Sequence, residues 1–238
     1  MKILITGANG GLGNKLAELF NIEEHNLILT VRANSINTIK EKFPKQTYLE
    51  IDFIADNINE KLKSVNLEEI PDLIIHCAGG KIEGDEHPIN SEILDKTIKL
   101  NCSSVIELNN YFIEKAIINN KNLRIIHISS DAGITGRASP SYSISKGALN
   151  TYIKNSGRFY AKENIMICGL ICSIFEHKNS SWTKKKLENP SYYEEVKKST
   201  ALKRFASVEE IAEIVIDISK SKSMLYSSEL INITAGNI

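Results

Sequence analysis

Ser130, Tyr142 and Lys146 fall within one stretch, SSDAGITGRASPSYSISKGAL (129–149), the tyrosine twelve residues after the serine and the lysine four after the tyrosine. A hydroxyl, a phenol and an ammonium together can manage a proton at an oxygen atom. Reducing a carbonyl by hydride transfer develops negative charge on its oxygen, which needs a proton donor within hydrogen-bond reach. A phenol with a pKa of about 10 is a poor base near pH 7, whereas a nearby ammonium favours the phenolate and lowers that value. The i, i+4 spacing on a helix puts Lys146 one turn from Tyr142 on the same face. Lys146 is therefore expected to lower the pKa of Tyr142.

Spacing alone does not select this set. Tyr111/Lys115 and Tyr193/Lys197 repeat the tyrosine-lysine interval, and Ser181 stands twelve residues before Tyr193. Position does select it. Ser130 ends an apolar run, RIIHISS, and catalytic groups in open α/β sheets collect at the carboxyl ends of strands. Ser181 has no strand before it, and Tyr111 has no serine at that interval. Between Ser130 and Tyr142 a turn containing Gly133, Gly136 and Pro140 leads into the helix that carries the lysine.

The elements that would hold these groups follow from the apolar pattern. Seven strand-length runs rich in Ile, Leu and Val recur at 2–7, 26–31, 47–52, 72–79, 123–129, 165–172 and 229–234. They are mostly continuous, as in strands covered on both faces. Amphipathic segments of helical length lie between most of them, at 13–20, 92–119, 143–162 and 208–220. Alternating strands and helices predict an α/β fold: one doubly wound (Rossmann) seven-stranded parallel sheet with helices on both faces, in a single domain over 1–238. The rhythm breaks at about 174–205, a polar stretch holding Trp182 and Lys184, Lys185 and Lys186. A loop of this length in a compact domain is expected to act as a substrate lid.

Composition narrows the partners. The 238 residues carry 29 Lys and Arg against 29 Asp and Glu, so no global field draws nucleic acid or an anionic membrane. No apolar run approaches a membrane span, and MKILITGANG lacks a signal-peptide pattern, so a cytoplasmic protein is expected. Cys77, Cys102, Cys168 and Cys172 lie mostly in apolar stretches, like reduced core thiols, and their spacings are not those of a metal site. The lysine run at 184–186 is read as a solvated charge run.

TGANGGLG (6–13) follows the first strand and opens the first helix. Gly7, Gly11 and Gly13, among Asn9, Gly10 and Leu12, permit a tight turn and close approach of backbone to a pyrophosphate, with helix N-terminal amides facing the anion. At the end of the second strand, LTVRANS, Val31 stands where an acid would bind a ribose 2′-hydroxyl and Arg32 follows, which favours NADP(H) over NAD(H).

With these motifs the chain resembles the short-chain dehydrogenase/reductase family in its compact form, over nearly its whole length. TGANGGLG is similar to that family's TGxxxGxG cofactor loop. Asp52, followed by Phe53, matches its adenine-binding aspartate. HCAGG (76–80), with Cys77, Ala78 and Gly79, is similar to its NNAG segment, and Asn101 lies 24 residues after Cys77, where its structural and catalytic asparagine is expected. ELINITAGN resembles the last strand and its Gly-Gly ending, and ALKRFASVEEIAEIV (201–215) resembles the segment after the lid. The resemblance implies that Tyr142 is the general acid/base, that Lys146 also binds the nicotinamide ribose, that Ser130 holds the substrate oxygen and that Asn101 positions a water in the proton relay. It also implies a homodimer or homotetramer through the helices at 92–119 and 143–162.

One element departs from the family. Cys172 and Ser173 stand in place of Pro-Gly, and CSIFEHK has no threonine at the distance where the family contacts the nicotinamide carboxamide. The expected function is an NADP(H)-dependent oxidoreductase interconverting a carbonyl and a secondary alcohol, on a sugar-derived or carrier-linked substrate. The alternative is a non-catalytic nucleotide-binding or scaffold protein of the same fold. The length disfavours an extended epimerase or dehydratase with its own substrate domain.

Overall fold

The structure is a computed structural model and describes residues 1–65, 67, 69–178 and 180–237. The chain runs β1 (Lys2–Thr6), α1 (Gly11–Ile22), β2 (Asn26–Val31), α2 (Ile36–Lys42), β3 (Thr47–Glu50), α3 (Ile58–Ser64), β4 (Leu73–His76), α4 (Ser91–Ile98), α5 (Ser104–Ile118), β5 (Leu123–Ser130) and α6 (Ala132–Thr135). It continues through α7 (Pro140–Tyr160), β6 (Ile165–Cys172), β7 (Phe175–Glu176), α8 (Ser181–Glu188), α9 (Pro190–Ser199), β8 (Ala206–Ser207), α10 (Val208–Lys220) and β9 (Leu230–Ile233). Among the described residues seven strands pair in the order β3-β2-β1-β4-β5-β6-β9, and every pairing is parallel. The expected doubly wound sheet is present. Its strand order reverses between β1 and β4, and the crevice beyond their carboxyl ends is where such sheets bind ligands.

The alternation within each strand distributes the core. Ile3 and Ile5 of β1 face α1 and α10, packing with Leu16, Phe20, Ile211 and Val215. Leu4, between them, faces the opposite layer with Leu108 and Phe112 of α5 and Leu149 and Ile153 of α7. Both faces of the sheet are thus covered, which is why its strands read as continuous apolar runs rather than alternating ones.

Three expectations are corrected. The strands expected at 47–52 and 72–79 end earlier, at Glu50 and His76, where the chain turns to build the crevice floor. The helix expected over 92–119 is interrupted by a π-helical turn, Lys99–Ser103, that carries Asn101. The stretch at 174–205 is no open loop. It holds α8 and α9, and its strand β7 pairs in parallel with β8. An aromatic cluster holds it together: Trp182 stacks on Tyr192 with ring centroids 6.1 Å apart and meets Phe205 at 5.0 Å. Tyr193 meets Phe205 edge-on at 5.3 Å and donates from its hydroxyl to Glu176 at 2.8 Å.

Candidate active site

The glycine turn sits at the β1 carboxyl end, and Gly7 sets its shape. Its φ of +66° is a left-handed conformation, and a Cβ there would lie 2.9 Å from the Ala78 backbone, so the turn rests directly on the segment leaving β4. Thr30 of β2 accepts from the Gly7 amide through its hydroxyl at 3.1 Å, and Thr6 likewise accepts from Ala78 at 3.0 Å. Helix α1 opens at Gly10 with no side-chain cap and no acidic residue in its first turn, which leaves its leading amides facing the crevice. This cradle fits the diphosphate of a dinucleotide. Leu12 packs into the core beneath it, whereas Asn9 and Gly10 are exposed above it. Asn9 donates to Ser35 at 3.0 Å, tying the turn to the residues after β2, where Arg32 is exposed.

Asp52 and Phe53 mark the far side. The Asp52 carboxylate accepts from the Ile54 and Ala55 amides at 2.8 and 3.1 Å and so shapes its own turn. The Phe53 side chain is buried in the core, and its carbonyl accepts from Ser104 at 2.7 Å. The expectation that Phe53 binds cofactor is thereby restricted to its backbone N–H.

At the β4, β5 and β6 ends a cavity of about 140 Å³ gathers Cys77, Ala78, Gly79, Ser130, Tyr142, Lys146, Cys172 and Ser173, with Phe175 at its edge. Eight residues expected in the site from sequence thus meet around one space. Neither decoy pair does. Lys115 lies 4.5 Å from the centroid of the Tyr111 ring and donates to the Leu67 carbonyl, while Tyr193 is buried among the aromatics around α8 and α9.

Asn101 is 1% exposed, and its amide is fully engaged. Its Oδ1 accepts from Gly80 N at 2.8 Å, and its Nδ2 donates to the carbonyls of Gly80 and Thr97, each at 2.9 Å. The π-helical turn therefore serves to reach the crevice floor. A Cβ at Gly79 would lie 2.8 Å from Asn101 Oδ1 and 3.6 Å from Lys146 Nζ, so the asparagine and the lysine both close on this one glycine.

Burial sets the electrostatics. The Tyr142 phenol is pushed up to about 12 by loss of water, while the Ser130 hydroxyl beside it acts in the opposite direction. Lys146, 5% exposed, is brought down to about 8 by the same desolvation, and its Nζ donates to the Ile128 carbonyl at 2.9 Å. The expected lowering of Tyr142 by Lys146 is therefore corrected: desolvation raises the phenol, and the group that opposes it is the Ser130 hydroxyl. Desolvation pushes the thiols of half-buried Cys77 and buried Cys172 far up, so both are neutral at any ordinary pH.

Helix α7 is seated closely on the serine turn. A Cβ at Gly133 would fall 2.6 Å from the Lys146 carbonyl carbon, so only glycine allows α6 this contact. Beneath the site, His76 and His127 stack with centroids 4.5 Å apart and share Asn109.

Three residues near the site escaped the sequence reading. His177, in the segment where no threonine was found, lies over the glycine turn: a Cβ on Gly11 would be 2.2 Å from its ring. Ser180 N and Thr183 Oγ1 donate to its carbonyl and hold it there. Asn237 donates to Ser173 at 3.2 Å and accepts from Ala201 N at 2.7 Å, so the tail joins the crevice rim to the end of α9. Asp85 meets the start of α7. Only the broken family pattern at 172–178 signalled any of these, and it signalled only the place.

A doubly wound sheet with a glycine turn at the switch point and a serine-tyrosine-lysine set beside it defines a nucleotide-binding oxidoreductase of Rossmann type. The family model for short chain dehydrogenases matches residues 1–187. The chain belongs to the short-chain dehydrogenase/reductase family, whose members act on CH–OH groups. A 3-oxoacyl-(acyl-carrier-protein) reductase of Buchnera aphidicola is 28% identical over 98% of this chain and 95% of its own. A 4-hydroxyisoleucine dehydrogenase complexed with NADH superposes with a TM-score of 0.86 at 19% identity, over 99% of this chain and 97% of that one. ElxO with NADP bound does so with a TM-score of 0.86 at 17% identity and the same coverage. Among the described residues no three His, Cys, Asp or Glu side chains gather as metal ligands, and no helix is long and apolar enough to cross a membrane.

Proposed function

We propose that the protein is an NADP(H)-dependent reductase that converts a carbonyl to a secondary alcohol, reversibly, with Tyr142 as general acid/base. The observation that carries this reading is the convergence of Ser130, Tyr142 and Lys146 on one cavity at the floor of the crevice. A nicotinamide cofactor, when bound, would supply the hydride for the carbonyl carbon.

The remaining work belongs to the chain. Ser130 Oγ donates to the carbonyl oxygen and holds it beside the phenol. Tyr142 Oη, protonated at neutral pH, delivers its proton as charge develops on that oxygen. Lys146 would hold the nicotinamide ribose hydroxyls and, as a cation, stabilises the phenolate left behind. Asn101 holds Gly80 and with it the floor, leaving its backbone to position the relay water. The glycine turn, with Asn9, Gly10 and Gly11, takes the diphosphate, Arg32 the 2′-phosphate and Asp52 the adenine. Cys77 to Gly79, Cys172 and Ser173 enclose the nicotinamide.

The α8 and α9 segment is the substrate lid, and the relatives named as 3-oxoacyl reductases favour a carrier-linked 3-oxoacyl group as substrate. Exposed Ile118 on α5 and Ile144 and Phe159 on α7 support self-association along those helices. The test is NADPH oxidation against acetoacetyl thioester, a keto-sugar and an aldehyde. Turnover of at least one supports the reading, while tight NADPH binding without turnover of any supports a nucleotide-binding scaffold instead.

A further inference from the structure

Helix α7 begins without a cap of its own. Its N-cap residue, Ser139, makes no side-chain cap bond, and Pro140 at the first position has no N–H. The leading amides of Ser141 and Tyr142 thus need acceptors from elsewhere. They find them across the chain: Asp85 Oδ1 accepts from Ser141 N at 2.9 Å and Oδ2 from Tyr142 N at 3.0 Å.

Asp85 is 5% exposed. A buried carboxylate at a helix N-terminus is stabilised by the amides it accepts from and by the helix dipole. The hydroxyls of Ser139 and Ser141, which have no other partner among the described residues, face it as well. Removing the carboxylate would therefore strand one buried and one half-buried amide in the turn that carries Tyr142.

The segment that supplies Asp85 also floors the crevice. Six residues before it, Gly79 begins the backbone over which Asn101 and Lys146 approach each other, and Gly80 exchanges two hydrogen bonds with Asn101. One stretch, 78–85, therefore ties β1, the π-helical turn and the start of α7 together.

We propose that Asp85 is a positioning residue for Tyr142, its buried carboxylate fixing the first turn of α7 against the crevice floor so that the phenol stays in register with Ser130. This rests on the assignment of Tyr142 as the proton donor. A displacement of the order of 1 Å costs such a geometry up to about 100-fold in rate.

The test compares wild type with Asp85→Ala and Asp85→Asn, using NADPH and the carbonyl from the panel above that wild type reduces fastest, well below each variant's Tm. The expected result for Asp85→Ala is a kcat about 10- to 100-fold lower, with KM and the NADPH Kd within about twofold. Asp85→Asn, which keeps one acceptor oxygen, should recover part of kcat. A folded Asp85→Ala with wild-type kcat, or losses that merely follow the unfolded fraction, would overturn the proposal; where the alanine variant does not fold, Asp85→Asn is judged alone by the same criteria. A wild type that binds NADPH and reduces no carbonyl defeats the functional reading instead. Hydrogen exchange at the Ser141 and Tyr142 amides then decides: exchange faster in the variant than its global stability explains supports anchoring by Asp85, and unchanged exchange refutes it.

Discussion

Lys146 Nζ lies 5.8 Å from the centroid of the Tyr142 ring while donating to the Ile128 carbonyl, so the lysine is held beneath the phenol by the strand that ends in Ser130. Desolvation drives their pKa values apart and reverses their ordinary order, the phenol going up to about 12 and the ammonium down to about 8. Over the working range the tyrosine therefore keeps its proton, and the lysine is the group whose charge changes.

This order gives the pH profile a defined sign. Lys146 is cationic below about pH 8 and neutral above it, so the stabilisation of the phenolate is present at pH 7 and fades on the alkaline side. The kcat/KM for carbonyl reduction should be level between pH 6.5 and 7.5 and fall about tenfold per pH unit well above 8. Lys146→Met should remove this limb while lowering the plateau. A wild-type profile level to pH 10 would separate the lysine from the chemistry.

Cofactor choice is predicted to rest on Arg32, exposed at the end of β2 and joined to the glycine turn through Asn9 and Ser35. Losing a hydrogen bond to a charged group costs about 1.5–3 kcal/mol when desolvated, and the exposure here places the effect at the low end. Arg32→Ala should raise the NADPH Kd about tenfold and leave that for NADH within about twofold, as read by fluorescence titration. Equal weakening of both would show that Arg32 does not read the 2′-phosphate.

Acid stability should follow the histidine pair. His76 is 3% and His127 0% exposed. His76 Nε2 bonds Asn109 Oδ1 at 2.7 Å and Asn109 Nδ2 bonds His127 Nε2 at 3.1 Å, an arrangement that suits two neutral rings. Burial takes His76 from 6.5 to about 4 and His127 well below its ordinary value. In the unfolded chain both rings take up protons below about pH 6.5, whereas in the fold they do not. The pair's contribution is therefore complete above that pH and is lost as pH falls toward 4, at about 1.4 kcal/mol per pH unit for each proton. Urea unfolding at pH 7.5, 6 and 5 should show the decline beginning between the first two points and steepening by the third. Equal free energies at 7.5 and 5 would contradict it.

The sheet was legible because strands covered on both faces leave unbroken apolar runs, as in IMICGLIC of β6. The serine-tyrosine-lysine set was legible by its place after β5. Helices α8 and α9 were hidden because they are polar along most of their length and are held by Trp182, Tyr192, Tyr193 and Phe205, whose contacts no periodicity displays. Asp85 was hidden for a related reason, since its partners lie 56 and 57 residues away and the local sequence shows only an acid in a loop. The direction of the Tyr142 shift was misjudged because charge proximity follows from helical spacing, whereas desolvation depends on how many elements close over the site. His177 stood in a segment marked only by what it lacked.

The central claim is that Tyr142 delivers the proton and does not hold the cofactor. Single-turnover oxidation of bound NADPH by wild type and Tyr142→Phe, with the same carbonyl and with the NADPH Kd measured on both proteins, tests it most directly. The account predicts a rate about 10²- to 10⁴-fold lower in the variant with a Kd within about twofold of wild type. A Tyr142→Phe protein that keeps most of its single-turnover rate would contradict it.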